Sequence, residues 1–476
     1  MQAAKACDAY GLMPGHVIEQ CDAEQAYIQS RLDGPTPTWV RLPRDQWPKG
    51  WSGYRDPVCP LVLALYGHPD AGGYWERHCE KHLKDAGFVP IPDWRSCFWN
   101  KNLKLFLVVY VDDFKLSGPS GTMPEGWRLI RKHIRTETPT PVGKYLGCEH
   151  VPVTFPTMAD KSVLRAQLAL EGITPALGPP GATRGVSTGP PVSEKSTRGS
   201  GQTTQGMVWD MSDFLRQCVA LYQDIGGAKA KVLKHTGTPF LELPVDMMED
   251  ERHNGELAPI ASRVLMKVLY AARMARFDLL RATCFLATRV TKWSEACDRL
   301  LHRMMCYIDS TKDLCMHGWV GDNPKDLELV LYTDADFAGD VQTSRSTSGV
   351  FLCLKGPNSF VPLSALSKRQ SCVSHSTPEA EIVAADAGLR SEAIPEAGLW
   401  EALLGRKVVI RLKEDNQATI KIFQSGKNKE MRHMGCTHRV DLAFIHESLV
   451  DGHFTIEYCE TTQMPADIFT KAFANA

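Results

Sequence analysis

The segment Leu103–Leu116, which reads LKLFLVVYVDDFKL, limits the fold of this chain more than any other feature. Two apolar arms, rich in β-branched and aromatic residues, flank the adjacent acids Asp112 and Asp113. Such arms favour buried strands, so the segment predicts a hairpin with both acids at its turn. Adjacent carboxylates there are costly to desolvate unless a divalent cation binds them, and Mg²⁺ is usually held by one or two carboxylates plus phosphates. A plain polar turn is the alternative interpretation.

A third acid, Asp22, belongs with this pair. In the stretch 16–32, HVIEQCDAEQAYIQSRL, an apolar strand leads into Asp22 and a helix-like segment follows it. A strand that brings one carboxylate beside a hairpin with two more is an arrangement that binds two metal ions for phosphoryl transfer. The sequence therefore predicts an acidic metal centre in the N-terminal part.

Four further acids, in the C-terminal part, each lie at the end of a predicted element. The elements are a strand at 327–336, a helix with Thr377 as its N-cap and Pro378 and Glu379 in its first turn, a strand at 408–412 and a short helix at 465–471. The acids at these places are Asp334, Glu381, Asp415 and Asp467. Metal-assisted hydrolysis of a phosphodiester needs several carboxylates from different elements. The order of elements fits a ribonuclease H fold, and four unrelated surface acids are the alternative.

Composition limits the class of protein. Lys and Arg total 54 against 55 Asp and Glu, so the net charge of −1 excludes a polycation that binds nucleic acid by bulk charge. The 15 cysteines are scattered, which indicates a reduced, intracellular chain. The N-terminus lacks the apolar run of a secretory signal, and no apolar run is long enough to span a membrane.

Two segments separate the acidic regions. From 174 to 206, Gly, Pro, Ser and Thr dominate, which predicts a flexible linker or surface insertion. From 207 to 315 the pattern is helical. Apolar residues there recur at the spacing of one helix face, as in Leu265, Val268, Leu269 and Ala272.

These motifs together resemble the Pol polyproteins of copia-type LTR retrotransposons. The N-terminal part is similar to the family's reverse transcriptase palm. The matching residues are Asp22 in a QMDVKTAFL-type motif, Tyr110-Val111-Asp112-Asp113 (YVDD), Leu65-Tyr66-Gly67 with Trp75, and Lys144-Tyr145-Leu146-Gly147 in the primer-grip segment. The resemblance implies that Asp22 and Asp112 bind metal and that Asp113 supports them. It also implies that Lys144 contacts nucleic acid.

The C-terminal part resembles the family's ribonuclease H. The matching residues are 333–340 (TDADFAGD), 344–350 with Arg345, 379–382 (EAEI), Asp415 and Asn416 with Ile420, His438, and 466–471 (ADIFTK). The resemblance implies catalysis and metal binding by the four acids Asp334, Glu381, Asp415 and Asp467. It implies that Arg345, Asn416 and His438 contact nucleic acid. The implied cofactor is Mg²⁺, two ions per active site, with Mn²⁺ as a substitute.

The expected fold is α/β and α+β multidomain, with a reverse transcriptase palm and thumb followed by a ribonuclease H-like α/β domain. The predicted segments are a partial palm without fingers at 1–150, a flexible insertion at 151–206, a helical thumb or connection at 207–320 and the ribonuclease H-like domain at 321–476. Two features depart from the family: the fingers that precede Asp22 are missing, and Asp70-Ala71-Gly72 replaces Gln-Ala-Pro. Phosphoryl transfer depends on positioning contacts, so we expect an incomplete polymerase.

The expected function is Mg²⁺-dependent hydrolysis of RNA in RNA–DNA hybrids, with RNA-directed DNA polymerase activity as a second function. The alternative is a catalytically inactive transposon remnant that at most binds nucleic acid. The implied partners are an RNA–DNA hybrid, an RNA template, a DNA primer and other Pol or Gag products, with no membrane. The implied location is the cytoplasm, in a virus-like particle, or the nucleus. His433, Cys436 and His438 lie close together, but no second ligand pair accompanies them, so zinc is not predicted.

Overall fold

The computed structural model describes residues 1–156, 203–241, 255–340 and 342–472. The chain forms two compact units. The smaller unit is Gly15–Val142, and the larger unit combines Met1–Pro14, which contains helix α1 (Gln2–Gly11), with Gly143–Ala476. Both units contain helices and sheets, which confirms the predicted α/β and α+β class.

The smaller unit is built on a six-stranded sheet, a separate two-stranded sheet and two helices. The strands are β1 (His16–Asp22), β2 (Trp39–Val40), β3 (Cys59–Pro60), β4 (Val89–Pro90), β5 (Cys97–Asn100), β6 (Leu105–Tyr110), β7 (Asp113–Pro119) and β8 (Thr140–Pro141). The helices are α2 (Ala71–Asp85) and α3 (Met123–Arg131), with 3₁₀ turns at Ala26–Gln29, Arg44–Gln46 and Lys49–Trp51. The strand order in the sheet is β4-β5-β6-β7-β1-β8, and β2 pairs only with β3 within this unit.

The hairpin predicted around the adjacent acids is present. β6 and β7 pair antiparallel, with Tyr110 opposite Asp113. Val111 and Asp112 make the connection, whereas Asp113 already begins β7, so only one of the two acids lies in the turn itself. The hairpin is held in place because its apolar side chains, such as Phe106 and Phe114, are completely buried.

The larger unit contains a long sheet that runs through most of its length. Its strands are β9 (Lys144–Tyr145), β10 (Cys148–Pro156), β11 (Thr203–Asp210), β12 (Met316–Val320), β13 (Glu328–Asp340), β14 (Arg345–Gly356), β15 (Ser359–Arg369), β16 (Ile410–Glu414) and β17 (Phe454–Tyr458). Their order is β17-β16-β13-β14-β15-β12-β11-β10-β9 in the described part of the chain. β13, β14 and β15 are antiparallel, and β16 and β17 continue the sheet in parallel. The elements of this part follow one another along the chain in the predicted order, from a strand that carries Asp334 to a helix that carries Glu381 and a strand that ends before Asp415.

Helices cover this sheet. They are α4 (Ser212–Ile225), α5 (Gly227–Ala230), α6 (Ala258–Met274), α7 (Leu280–Ala287), α8 (Glu295–Ser310), α9 (Thr377–Gly388), α10 (Ile394–Leu404), α11 (Gln417–Ser425), α12 (Met434–Thr437) and α13 (Leu442–Val450). Shorter turns lie at Phe277–Leu279, Pro324–Asp326, Leu389–Ala393, Lys429–Met431, Thr461–Gln463 and Pro465–Phe469. The helix face predicted within 207–315 is present in α6, where Leu265, Val268 and Ala272 are completely buried.

The structure draws boundaries that differ from the predicted segments. β10 and β11 pair along their whole lengths, so residues 151–156 and 203–206 are strand rather than flexible insertion. The rest of that insertion lies outside the described residues. β12 pairs with both β11 and β15, so one sheet crosses the predicted boundary at 320. The first fourteen residues belong to the larger unit because α1 is buried there, with Trp209 Nε1 donating to Asp8 Oδ2 at 2.9 Å.

Among the helices that the structure describes, none combines the length and the apolar character needed to cross a lipid bilayer.

Candidate carboxylate active sites

Three of the four C-terminal acids converge at one edge of the sheet in the larger unit. β13 and β16 are parallel neighbours with Tyr332 opposite Lys413, which places Asp334 and Asp415, each two residues further along, side by side. β13 itself continues to Asp340, so Asp334 lies within the strand rather than at its predicted end. Asp334 lies on β13, Asp415 follows β16 directly, and Glu381 comes from α9, which packs on β13. One carboxylate oxygen of each lies within 4.8 Å of the others. In the described part of the chain this is the only group of three potential metal ligands that approach so closely.

The start of α9 places Glu381 in this cluster. Ser376, one residue earlier than the predicted cap Thr377, is the N-cap: its hydroxyl accepts the backbone N–H of Glu379 at 3.4 Å. Pro378 then lies in the first turn, where its missing N–H costs no hydrogen bond. The predicted helix and the position of Glu381 near its N-terminal end are therefore present, with the cap shifted by one residue.

Burial and mutual repulsion favour the protonated form of two of the clustered carboxyl groups. Burial, together with the nearby carboxylates of Glu414, Asp334 and Asp415, raises the pKa of Glu381 to about 10. Burial also raises the pKa of Asp334 to about 6, although the hydroxyl of Thr470 and the ammonium of Lys471 counteract this. Such shifts are typical of carboxylates gathered around a site where positive charge is to be bound.

Asp467 joins the cluster through a lysine rather than directly. It lies in the 3₁₀ turn Pro465–Phe469, and Lys471 Nζ is 2.7 Å from its Oδ1 and 3.6 Å from Asp334 Oδ1. The hydroxyl of the adjacent Thr470 donates to Asp334 Oδ2. Gly349 on β14 permits this close approach, because a Cβ there would lie 2.6 Å from Thr470 Cγ2.

A fifth carboxylate, Glu414, was missed by the sequence interpretation. It is completely buried at the end of β16, where its two oxygens accept the Thr333 hydroxyl at 3.1 Å and the Asn416 N–H at 3.2 Å. Burial raises the pKa of Glu414 to about 8. The signal was present in the sequence, since the alternation of Ile410, Leu412 and Glu414 puts all three on the buried face of the strand.

The donor set suits a hard divalent cation. Mg²⁺ binds oxygen ligands, and the three clustered side chains offer only carboxylate oxygens. Glu381 Oε2 is buried and has no hydrogen-bond donor among the residues that the structure describes. A buried carboxylate oxygen without a donor is unfavourable unless a cation or proton satisfies it. Asp334, Glu381 and Asp415 therefore fit the predicted metal, with Asp467 beside them.

One of the residues predicted to contact nucleic acid, Asn416, lies beside this cluster. It lines the same open cleft as the three acids, and its side chain caps α11 by accepting the N–H groups of Ala418 and Thr419. Arg345 begins β14 opposite Asp340, six residues beyond Asp334 along β13. The Asn416 side chain therefore caps α11 whether or not it also contacts a ligand.

His438 does not face the cleft. Its side chain is 1% exposed, and its Nε2 lies 2.9 Å from Glu379 Oε1. His433 Nε2 lies 3.1 Å from the same oxygen, and the other oxygen of Glu379 accepts the N–H of His375 at 3.0 Å. This placement argues against the predicted contact between His438 and nucleic acid. The histidine pair instead holds the carboxylate that precedes Glu381 on α9.

The N-terminal acids lie together at the end of the β6–β7 hairpin. Asp22, the last residue of β1, stands directly opposite Asp113, the first residue of β7. The backbone N–H of Ala23 donates to the Asp112 carbonyl at 2.8 Å. Partial burial and the neighbouring carboxylates Asp22 and Asp112 raise the pKa of Asp113 to about 6. The predicted juxtaposition of one strand acid with two hairpin acids is therefore present.

The connection of this hairpin is held by Trp75. Val111 has a φ of +58°, a conformation that is strained for a β-branched residue. Trp75, which is buried on α2, donates its Nε1–H to the Val111 carbonyl at 2.6 Å. Asp70, the residue that departs from the family pattern, precedes α2 without capping it through its side chain. Lys144 is exposed on β9 and belongs to the larger unit.

Comparison with known proteins addresses the origin of the chain. No protein-family model matches it. A retrovirus-related Pol polyprotein from transposon TNT 1-94 of Nicotiana tabacum is 26% identical over 472 residues, which is 95% of this chain. The chain is thus similar to a retrotransposon Pol polyprotein along nearly all of its own length. It spans 30% of the length of that curated relative.

One further protein and two solved structures are similar to the chain. The secreted RxLR effector protein 161 of Plasmopara viticola is 32% identical over 140 residues, which is 29% of this chain and 89% of that protein. A ribonuclease H1 from compost, LC11, covers 30% of the chain at 12% identity and a TM-score of 0.23, with 92% of that structure included. The prototype foamy virus protease-reverse transcriptase covers 93% of the chain and 64% of that structure, at 13% identity and a TM-score of 0.19. The α/β and α+β class therefore rests on the helices and sheets described above.

Proposed function

We propose that the larger unit hydrolyses RNA in RNA–DNA hybrids with the help of divalent metal ions. The observation that carries this proposal is the convergence of Asp334, Glu381 and Asp415, which come from three different elements, with oxygens within 4.8 Å of one another. The relationship to Pol polyproteins supports the choice of nucleic acid as substrate. An inactive remnant that only binds nucleic acid is the rival.

The chain's own residues would perform three tasks in this reaction. Asp334, Glu381 and Asp415 would hold Mg²⁺, which when bound supplies an activated water and stabilises the leaving 3′-oxygen. Lys471 holds Asp467 and Asp334 in place by the contacts given above. The cleft beside them is open, so a duplex backbone can approach the carboxylates from solvent. Recognition would rest on duplex shape and on the RNA 2′-hydroxyl rather than on sequence.

Cleavage of end-labelled duplexes by the full chain tests this proposal. With Mg²⁺ or Mn²⁺ we expect cuts in the RNA strand of an RNA–DNA hybrid and none in DNA duplex of the same sequence. Asp415→Asn should stop cleavage, because it removes a ligand, whereas the exposed Asp326→Asn should cut like the unmodified chain. Binding of the hybrid without cleavage by a folded chain would favour the remnant. Equal cleavage by both variants would reveal a contaminating nuclease.

A second candidate activity, RNA-directed DNA synthesis, belongs to the smaller unit. The observation in its favour is the register that sets Asp22 opposite Asp113, beside the hairpin connection at Asp112. Paired carboxylates of this kind are used to bind two metal ions in polymerases.

Extension of a DNA primer on an RNA template, with the full chain and Mg²⁺, tests this second activity. We expect extension that Asp113→Asn abolishes, since the variant removes charge from the paired acids. The exposed Asp85→Asn on α2 serves as the matched control and should extend like the unmodified chain. Failure of the unmodified chain to add a nucleotide would reject polymerase activity for this chain without affecting the proposal for the larger unit.

A further inference from the structure

The carboxylate cluster of the larger unit is held from outside the predicted ribonuclease H-like segment. α7 (Leu280–Ala287), which lies within the predicted thumb or connection, carries Arg281. The Arg281 side chain is 8% exposed. Burying an arginine is costly unless its charge and N–H groups are satisfied. The partners of Arg281 therefore show what this residue does.

Arg281 contacts both sides of the cleft. Its Nε donates to the Thr470 carbonyl at 2.8 Å, and its Nη2 lies 3.5 Å from Asp336 Oδ2. Asp336 lines the same cleft as the clustered acids, two residues beyond Asp334 on β13. Thr470 gives its hydroxyl to Asp334 Oδ2. One guanidinium thus joins the strand that carries Asp334 to the terminal turn that carries Asp467.

The position of the Arg281 guanidinium is itself constrained. Its carbon lies 5.0 Å from the ring centre of Phe240 and 5.5 Å from that of Phe285. The end of the same segment is also fastened to β13: Arg289 Nη2 donates to Asp340 Oδ1 at 2.5 Å, and Arg369 Nη1 binds the other oxygen at 3.0 Å. The helical segment therefore contacts the part of β13 that follows Asp334 through two ion pairs, Arg281–Asp336 and Arg289–Asp340.

We propose that Arg281 is a positioning residue for the carboxylate cluster, so that the helical segment before residue 320 is part of the nuclease. This inference rests on the proposed function and deepens it. The Arg281 guanidinium holds the Thr470 carbonyl, and the Thr470 hydroxyl orients the Asp334 carboxylate. The same guanidinium contacts Asp336, which lines the cleft. The segment 321–476 by itself lacks this contact, which residue 281 supplies.

The test measures Mn²⁺ binding to the full chain by the electron paramagnetic resonance signal of free Mn²⁺. The site lost in Asp334→Asn defines binding to the cluster. Arg281→Lys keeps the charge but cannot make both contacts, and we expect it to bind Mn²⁺ at this site about tenfold more weakly, as is usual when a partner of a ligand is lost. The exposed Arg263→Lys on α6 should bind like the unmodified chain.

A double variant separates positioning from a general structural role. Thr470→Val should weaken Mn²⁺ binding as Arg281→Lys does. The double variant should bind Mn²⁺ about as strongly as the weaker-binding of the two single variants, because both substitutions interrupt the same path from Arg281 through Thr470 to Asp334. Losses that multiply, or Mn²⁺ binding by Arg281→Lys within about twofold of the unmodified chain, would overturn the inference. Lack of hybrid cleavage by the unmodified chain would reject the proposed function but leave this comparison of metal binding intact.

Discussion

Asp334→Asn is expected to lower the rate of RNA cleavage by roughly 10³-fold, since a metal ion contributes several kcal/mol to such reactions and each 1.36 kcal/mol is a factor of ten. Asp334 is the centre of the cluster. It lies within 4.8 Å of the oxygens of Glu381 and Asp415 and is contacted by Thr470 and Lys471. An amide supplies one weak donor oxygen in place of a charged carboxylate, so the metal is bound poorly or in the wrong place.

The chain should remain folded in this variant. Burial already raises the pKa of Asp334 to about 6, so a neutral amide of the same shape is tolerated at this position when metal is absent. The rate is measured on an end-labelled hybrid under single-turnover conditions, with thermal unfolding as the check on folding. A variant that keeps more than about a tenth of the cleavage rate would show that Asp334 is not a metal ligand, because loss of a catalytic metal ion lowers the rate by far more than tenfold.

Glu381→Gln is expected to stabilise the metal-free chain at alkaline pH, by about 1–3 kcal/mol at pH 8. The pKa of Glu381 is raised to about 10 in the folded chain, above its ordinary value near 4.3. The folded chain therefore holds a proton that the unfolded chain releases, and stability falls as pH rises from about 4 towards 10. Gln carries no such proton, so the variant loses this slope.

Denaturant unfolding at pH 5 and pH 8, in chelator and in Mg²⁺, measures the effect of Glu381→Gln. In chelator the variant and the unmodified chain should differ little at pH 5 and clearly at pH 8. In Mg²⁺ the difference should shrink or reverse, because only the unmodified chain binds the metal with its full set of carboxylates and is stabilised by it. An equal dependence on pH in both proteins would show that Glu381 is ionised without metal.

Much of the candidate site was readable from the sequence because each acid lies on or beside a local element with its own pattern. The run LELVLYTD predicts a strand that ends near Asp334, and Thr-Pro-Glu predicts a helix start before Glu381. The helix is present, whereas the strand continues past Asp334 to Asp340. The hairpin around Tyr110 and Asp113 was equally clear, because strand arms and a polar turn are short-range features.

Other parts of the prediction depended on contacts that sequence does not show. His438 was expected to contact nucleic acid, yet the fold buries it against Glu379. Residues 1–14 were expected in the palm, yet α1 is buried in the larger unit. In both places the local pattern is compatible with either position, and only packing against residues distant in the chain decides between them.

The sequence by itself determined the elements and the order in which the acids occur along them, because periodicity, caps and turns act over a few residues. Tertiary structure alone decided which groups meet. It brought Glu414 against the Thr333 hydroxyl of β13, joined Asp467 to Asp334 through Lys471, and placed Arg281 from a distant helix against Thr470. The physical reason is that these effects depend on which groups are close in space in the folded chain, whatever their separation in sequence. Burial, repulsion between carboxylates and the pairing of a buried guanidinium arise only when the interior has assembled.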